Sequence, residues 1–335
     1  MNRRLAVYRL SKIRLNFAQA RSFVLTLINL IGWKSFRKLF FKAPPLILMI
    51  EPTNRCNFSC PLCDKGTGKL SRPEGSMSPE DQEEILKGAG PGLKMALLWN
   101  QGEPFINNKL TKMIGKLRER NVFTIVSTNG SLVSRNAKDI VDSGLDELII
   151  SLDGSRRETY DLYRRGGDFD EIVAGVRRLA EVRGDRNKPL ISLQFLLLKH
   201  NVDEIEDFKR LKEETGADRV LWKTVQVSSR SEADEYLPED TQYTRYEGRS
   251  DLRVKKKGFD CRRIIYSAVI DWNGNLVPCC FDKDENHLIG NVLQQGFSKV
   301  WFSREMMKFR QDIAAGNLPE MCHNCTEGLK KLFIN

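Results

Sequence analysis

Through the middle of the chain, short apolar runs alternate with longer charged stretches, the pattern of strand and helix following one another to build a parallel sheet. The runs Leu46 to Ile50, Met95 to Trp99, Phe123 to Ser127, Glu147 to Leu152, Leu190 to Leu198 and Arg219 to Thr224 predict six strands, with helices between them. Six such units make an α/β fold, a partial parallel barrel. From Val225 to Lys257 the pattern stops: the segment is polar, contains Ser228-Ser-Arg-Ser231 and Arg253-Val-Lys-Lys-Lys257, and predicts a connector. A further domain is expected from Gly258. The predicted organisation is therefore an N-terminal extension over 1–43, the barrel over 44–225, a linker over 226–257 and a small domain over 258–335, which suits a chain of 335 residues.

In the extension, Leu10, Ile13, Phe17, Ala20, Val24, Leu27 and Ile31 recur at intervals of three or four, the period of one helix face. Aromatics follow at Trp33, Phe36, Phe40 and Phe41. The longest mainly apolar run, Phe23 to Trp33, is shorter than the roughly 20 residues that cross a bilayer, so this predicts no spanning helix. Two readings stay open: the helix lies on a membrane, or it packs its apolar stripe against the barrel.

Charge is distributed unevenly along the chain. The chain carries 54 basic and 44 acidic residues, a net +10. Residues 1–43 hold Arg3, Arg4, Arg9, Lys12, Arg14, Arg21, Lys34, Arg37, Lys38 and Lys42 and no acid, so the whole excess sits in the extension. The remainder is balanced, which argues against specific nucleic-acid binding and suits an extension that meets an anionic membrane.

The candidate chemistry is in the cysteines. Cys56, Cys60 and Cys63 fall in Glu51-Pro-Thr-Asn-Arg-Cys-Asn-Phe-Ser-Cys-Pro-Leu-Cys63, a loop that follows the first predicted strand. Three thiolates at three-then-two spacing leave one iron of a cubane cluster without a protein ligand, whereas structural zinc wants four ligands. Such an iron can be chelated by the amine and carboxylate of S-adenosyl-L-methionine. Eight cysteines with no recognisable cleavable signal predict reduced thiols holding metal in a cytoplasmic protein.

This loop resembles that of the radical S-adenosylmethionine (radical SAM) superfamily, and the resemblance implies a TIM-like partial (β/α)6 barrel. It also implies a three-cysteine 4Fe-4S cluster that reductively cleaves S-adenosylmethionine to a 5'-deoxyadenosyl radical, fed by a flavodoxin- or ferredoxin-type reductant. Gln101-Gly-Glu-Pro104 is similar to the family's Gly-Gly-Glu-Pro motif, with Gln101 in place of the first glycine. It implies roles for Gly102 and Glu103 at the methionine ammonium. Ser127-Thr-Asn-Gly130 resembles the segment that meets the cofactor carboxylate and ribose, which implicates Ser127 and Asn129; Ser151 and Asp153 at the next strand end point the same way. Arg165, in Tyr163-Arg-Arg-Gly-Gly-Asp-Phe169, matches an arginine that pairs with the methionine carboxylate, with Arg164 as its neighbour and competitor, and Leu62 matches the residue against adenine.

A second cysteine set, Cys261, Cys279, Cys322 and Cys325, brackets a hairpin signal at Asp271-Trp-Asn-Gly-Asn275. Its spacing resembles the SPASM extension in a shortened, Twitch-type form, which implies one auxiliary 4Fe-4S cluster; structural zinc is the competing reading. Cys280 is left over, either a small buried residue, an alternative ligand or a hydrogen-atom donor to a substrate radical. The resemblance to Twitch-containing dehydrogenases implies oxidation of a sugar or aminocyclitol, related SPASM enzymes imply a peptide, and the basic amphipathic extension adds a membrane-associated lipid or lipid-linked glycan. The alternatives are a radical epimerase, methyl or adenosyl transfer, and a non-catalytic iron-sulfur or zinc protein. Lys223, Gln194 and Trp99 lie on or near strand ends where a substrate could reach them.

Overall fold

The structure, a computed structural model, describes residues 16–36, 42–255 and 261–326. All six predicted strands form: β1 (Ile47–Ile50), β2 (Met95–Leu98), β3 (Phe123–Thr128), β4 (Glu147–Ser151), β5 (Leu190–Leu197) and β6 (Arg219–Thr224). They pair in parallel in chain order, so each connection is a crossover, made by helices such as Pro79–Ala89, Leu110–Glu119, Val133–Asp142, Phe169–Arg183 and Ile205–Glu214. Period-two alternation divides the strands between two cores. Leu48, Ile50, Leu98, Val126, Leu148 and Ile150 face the helices, and Ile47, Met49, Met95, Leu97, Ile125 and Ile149 line the interior of the curved sheet.

The sheet continues beyond β1. β7 (Ser267–Ile270) pairs in parallel with β1, Ile47 opposite Ser267, and β8 (Asn275–Val277) and β9 (Gly290–Asn291) follow antiparallel. The β7–β8 hairpin closes at the predicted turn, where the Asp271 and Asn275 backbones pair at 2.9 Å and Gly274 adopts φ +86°. Residues 225–255, polar in sequence, bury Val225, Val227, Ala233, Tyr236, Leu237, Tyr246 and Val254 against Leu198 and Tyr163. Val225 and Val227 alternate and Ala233, Tyr236 and Leu237 keep helical spacing along the helix Arg230–Tyr236 and its C-cap, but each run is so short among polar residues that the segment reads as connector.

The helix Phe17–Phe36 packs the face opposite to its apolar stripe. Gln19, Ser22, Thr26 and Asn29 are buried, and the Gln19 amide donates to the carbonyls of Leu93 (3.0 Å) and Asn121 (3.2 Å) while Lys94 Nζ donates to its Oε1 (3.0 Å). Those partners precede β2 and β3, so the helix lies across the amino-terminal end of the barrel. Trp33 anchors its far end among Cys261, Ile264, Ile265, Ile313 and Cys322. Packing of the apolar stripe on the barrel is thereby excluded for Phe17, Val24, Leu27 and Ile31, which are exposed; Leu10 and Ile13 lie outside the described residues. Among the described residues, no helix is long and apolar enough to cross a membrane.

Candidate active site

The cysteine loop leaves the carboxyl end of β1 and is tied down on three sides. Thr53 Oγ1 donates to the Gly75 carbonyl at 2.6 Å, Ser59 N donates to the Arg165 carbonyl at 2.9 Å, and Glu103 N donates to the Arg55 carbonyl at 2.8 Å. Gly102, at φ +79°, backs directly onto the loop: a Cβ there would stand 2.6 Å from the Arg55 carbonyl oxygen and 2.7 Å from that of Thr53. The loss of the first motif glycine to Gln101 leaves this approach intact. Gln101 is itself buried, its N–H donating to Glu51 Oε1 at 3.0 Å.

Cys56, Cys60 and Cys63 share this loop, and Cys63 N donates to the Cys60 carbonyl at 3.1 Å. Burial pushes the Cys56 thiol up to about 11, with the Phe58 N–H opposing and Glu103, Cys60 and Cys63 adding repulsion. Burial also raises Cys60, against the pull of Arg164. Thiols held neutral in this way ionise when a cation takes up their charge, so iron binding here releases protons. Among the described residues, no three His, Cys, Asp or Glu side chains stand gathered at metal-binding distance, and the fit to iron lies in donor type and placement.

Around the loop are polar groups with unused capacity. The Tyr160 hydroxyl and Gln194 Oε1 are buried without a hydrogen-bond partner. Gln194 Nε2 donates to Ser151 Oγ at 3.1 Å. Gln194 Oε1 fits a polar cofactor seated across the strand ends, whereas the Tyr160 hydroxyl is enclosed in the helix-side core beside Gly167. Glu103 is buried, with Oε1 accepting from Phe105 N (3.0 Å) and Thr128 Oγ1 (2.7 Å) and Oε2 from Asn129 N (2.6 Å). Burial raises its carboxyl despite those donors. The Asn129 side chain joins Asn57 and Ser131, Ser127 is half-buried, and Leu62 packs beside Tyr163, Leu198 and Val225.

The two arginines separate cleanly. Arg165 is exposed and contributes its carbonyl to the loop; Arg164 turns inward, its guanidinium paired with the Asp153 carboxylate and its Nη1 3.8 Å from Cys60 Sγ. Asp153, at φ +56°, also accepts from Leu196 N at 2.7 Å, so its carboxylate is engaged in holding Arg164. Of the two candidates for the methionine carboxylate, Arg164 is the one whose guanidinium lies beside the cysteine loop. Lys223 shares the interior face of β6 with Leu221; it keeps accessible surface while protein surrounds it, and lost hydration pushes its ammonium down to about 8, partly offset by Asp153.

On the opposite wall Cys261, Cys279, Cys322 and Cys325 line one apolar cavity together with Ile47, Met49, Leu97 and Val269. This puts the second set on the lining of one cavity at the interior face of β1, β2 and β7, without bringing the four thiols to metal-binding distance of one another. Cys280 is half-buried beside Cys279 and packs against the interior cluster.

A buried charge cluster joins the two cysteine sites. Arg72 grips Glu51 in a bidentate pair (2.8 and 2.9 Å) and stands 3.6 Å from Asp271 and 3.7 Å from Glu285. Three carboxylates face one guanidinium, and burial with repulsion from Glu51 pushes Asp271 up to about 8. A folded value above the unfolded one of about 3.9 means that folding retains a proton, so the stability gained is full at acid pH and drains away as pH rises towards 8. Asp271→Asn should therefore flatten the pH dependence of melting and raise Tm at alkaline pH by about 3 °C, measured by circular dichroism against the native chain.

Residues 50–211 match the radical SAM superfamily and residues 261–326 match SPASM, an iron-sulfur cluster-binding domain. The chain belongs to the radical SAM superfamily and carries a C-terminal SPASM domain. Its cofactors are accordingly a 4Fe-4S cluster, S-adenosyl-L-methionine and auxiliary iron-sulfur chemistry. Similar proteins include the tungsten-containing aldehyde ferredoxin oxidoreductase cofactor-modifying protein of Pyrococcus furiosus, 24% identical over 327 residues, 83% of this chain and 86% of that one. A probable GTP 3',8-cyclase of Pyrococcus horikoshii is 31% identical over 179 residues, 53% of this radical SAM chain and 55% of that protein, so the match spans about half the relative's length. The fold is similar to Streptococcus suis SuiB bound to S-adenosylmethionine, with a TM-score of 0.63 at 16% identity over 89% of this chain and 75% of that one.

Proposed function

We propose that this radical SAM enzyme is an oxidoreductase that abstracts a hydrogen atom from a carbon of a sugar or aminocyclitol, lipid-linked or peptide substrate and passes the remaining electron to an auxiliary 4Fe-4S cluster. The observation that carries this reading is the cavity lined by Cys261, Cys279, Cys322 and Cys325, which supplies four thiols and so suits a fully ligated cluster, the kind that transfers electrons. When bound at Cys56, Cys60 and Cys63, the first cluster supplies the electron that opens S-adenosylmethionine to methionine and a 5'-deoxyadenosyl radical. Around it, Gly102 and Glu103 would receive the methionine ammonium and Arg164 its carboxylate, while Ser127, Asn129, Ser151 and Gln194 would meet the ribose and Leu62 the adenine. Asp153 would act by holding Arg164. Loss of one hydrogen atom and then one electron leaves a proton, and Lys223 is a basic group on the interior wall placed to take it. A flavodoxin- or ferredoxin-type reductant in the cytoplasm would supply the first electron.

Cys280 supports a second reading. Its packing against the interior cluster that contains Met49, Leu97 and Ile149 suits a thiol on the interior face, where it could return a hydrogen atom to the substrate radical and make the reaction an epimerisation.

Anaerobic reconstitution followed by dithionite, S-adenosylmethionine and candidate substrates separates the two. Under the oxidation reading, Cys279→Ala lowers bound iron from about eight to about four per chain, still forms 5'-deoxyadenosine, and yields no oxidised product; Cys280→Ala still oxidises. A product isomer carrying solvent deuterium that disappears in Cys280→Ala establishes epimerisation instead. Zinc in place of the second set of irons would defeat the electron-acceptor role.

A further inference from the structure

We propose that the outward face of the helix Phe17–Phe36 docks on an anionic lipid surface. Among the described residues, six large hydrophobic side chains are exposed, and four of them stand on this helix: Phe17 (87% exposed), Val24 (53%), Leu27 (43%) and Ile31 (65%). Steps of seven, three and four place them along one stripe, with exposed Arg21 among them. The polar residues that would ordinarily face water, Gln19, Ser22, Thr26 and Asn29, are turned inward and buried, with Gln19 hydrogen-bonded to the barrel. The helix meets the protein through these polar residues together with Phe23, Leu30 and Trp33, and the exposed stripe is left for something outside the protein.

Charge selects the occupant. The extension holds ten basic residues and no acidic one, and these ten make up the entire net charge of the chain. A second copy seated on this face would bring a second block of like charge against the first, whereas anionic headgroups neutralise it. From Ser22 to Trp33 no residue is charged, a stretch of about 18 Å along the axis. That is too short to cross a bilayer and suits a helix lying in the headgroup plane, apolar side down.

Orientation follows from the contacts. The helix lies over residues that precede β2 and β3, at the amino-terminal end of the barrel, while the cysteine loop leaves the carboxyl end of β1. Docked in this way, the chain turns its cofactor loop away from the lipid. The reacting carbon then comes from the aqueous side, as part of a soluble molecule or of a headgroup long enough to reach around the barrel.

Flotation of the anaerobically reconstituted full chain with vesicles of phosphatidylcholine plus phosphatidylglycerol, compared with phosphatidylcholine alone, tests the docking. Native protein should float with the anionic vesicles, and the double variant Phe17→Glu, Ile31→Glu should lose about tenfold or more of that binding at an unchanged melting temperature. Both side chains are exposed, so the variant keeps its internal contacts. Three outcomes would overturn the proposal: a native chain that does not float, a double variant that floats equally well, or a native dimer that the double substitution dissociates without any vesicle binding.

Discussion

Cys60→Ala should reduce 5'-deoxyadenosine formation by about a thousandfold, to background, and lower bound iron from about eight to about four per chain. Ligand count sets the size of the effect. Cys56, Cys60 and Cys63 are the thiols of a single loop held by Thr53, Ser59 and Glu103, and with one removed the cluster has two protein ligands where it needs three. Cys60 is also the thiol that Arg164 approaches at 3.8 Å, so its loss strips the guanidinium of a partner as well. Alanine fits the site without strain, and the folded chain should survive with its second cysteine set intact. Chromatography after dithionite reduction, with iron measured on the same sample, checks both halves. Native-level product from the variant would mean that the cluster is held elsewhere.

Arg72→Met should destabilise the chain by about 3–5 kcal/mol, a large part of the roughly 5–15 kcal/mol that holds a domain together. Arg72 is buried, and it is the cation among Glu51, Asp271 and Glu285. Removing it leaves carboxylates facing one another out of water, which costs far more than the pair itself contributed. Its position widens the effect. Glu51 ends β1 and receives the Gln101 N–H, Asp271 opens the β7–β8 hairpin, and the Trp272 N–H reaches Glu51 Oε2 at 3.3 Å. Melting should fall by about 10 °C, and Glu51→Gln added to Arg72→Met should recover part of it by removing one unpaired charge. A variant that melts within about 2 °C of the native chain would show that water or a proton already balances the cluster.

What the chain discloses by itself is whatever lies in local pattern. Six strands are legible because each is an apolar run between charged helices, and the first cysteine loop because three thiols within eight positions have few other uses. The hairpin at Asp271 to Asn275 is legible for the same reason: Asn-Gly closes a turn whatever surrounds it. Arg164 and Arg165 are alike in sequence, and their difference appears only at the end of the helix Arg157–Tyr163, where Arg164 caps it and swings onto Asp153 while Arg165 faces water. The Glu51, Arg72, Asp271 and Glu285 cluster draws on segments more than 200 positions apart, and β7 joins the sheet beside β1, the strand earliest in the barrel. No local signal carries either.

The helix Phe17–Phe36 marks the boundary most clearly. Sequence period set out an apolar stripe through Phe17, Ala20, Val24, Leu27 and Ile31 and left the opposite face mixed, because 3.6 residues per turn is a property of the backbone. Which stripe meets the barrel was decided by tertiary structure, since the carbonyls of Leu93 and Asn121 end strand crossovers with hydrogen-bonding capacity to satisfy, and the Gln19 amide satisfies both where an apolar side chain could satisfy neither.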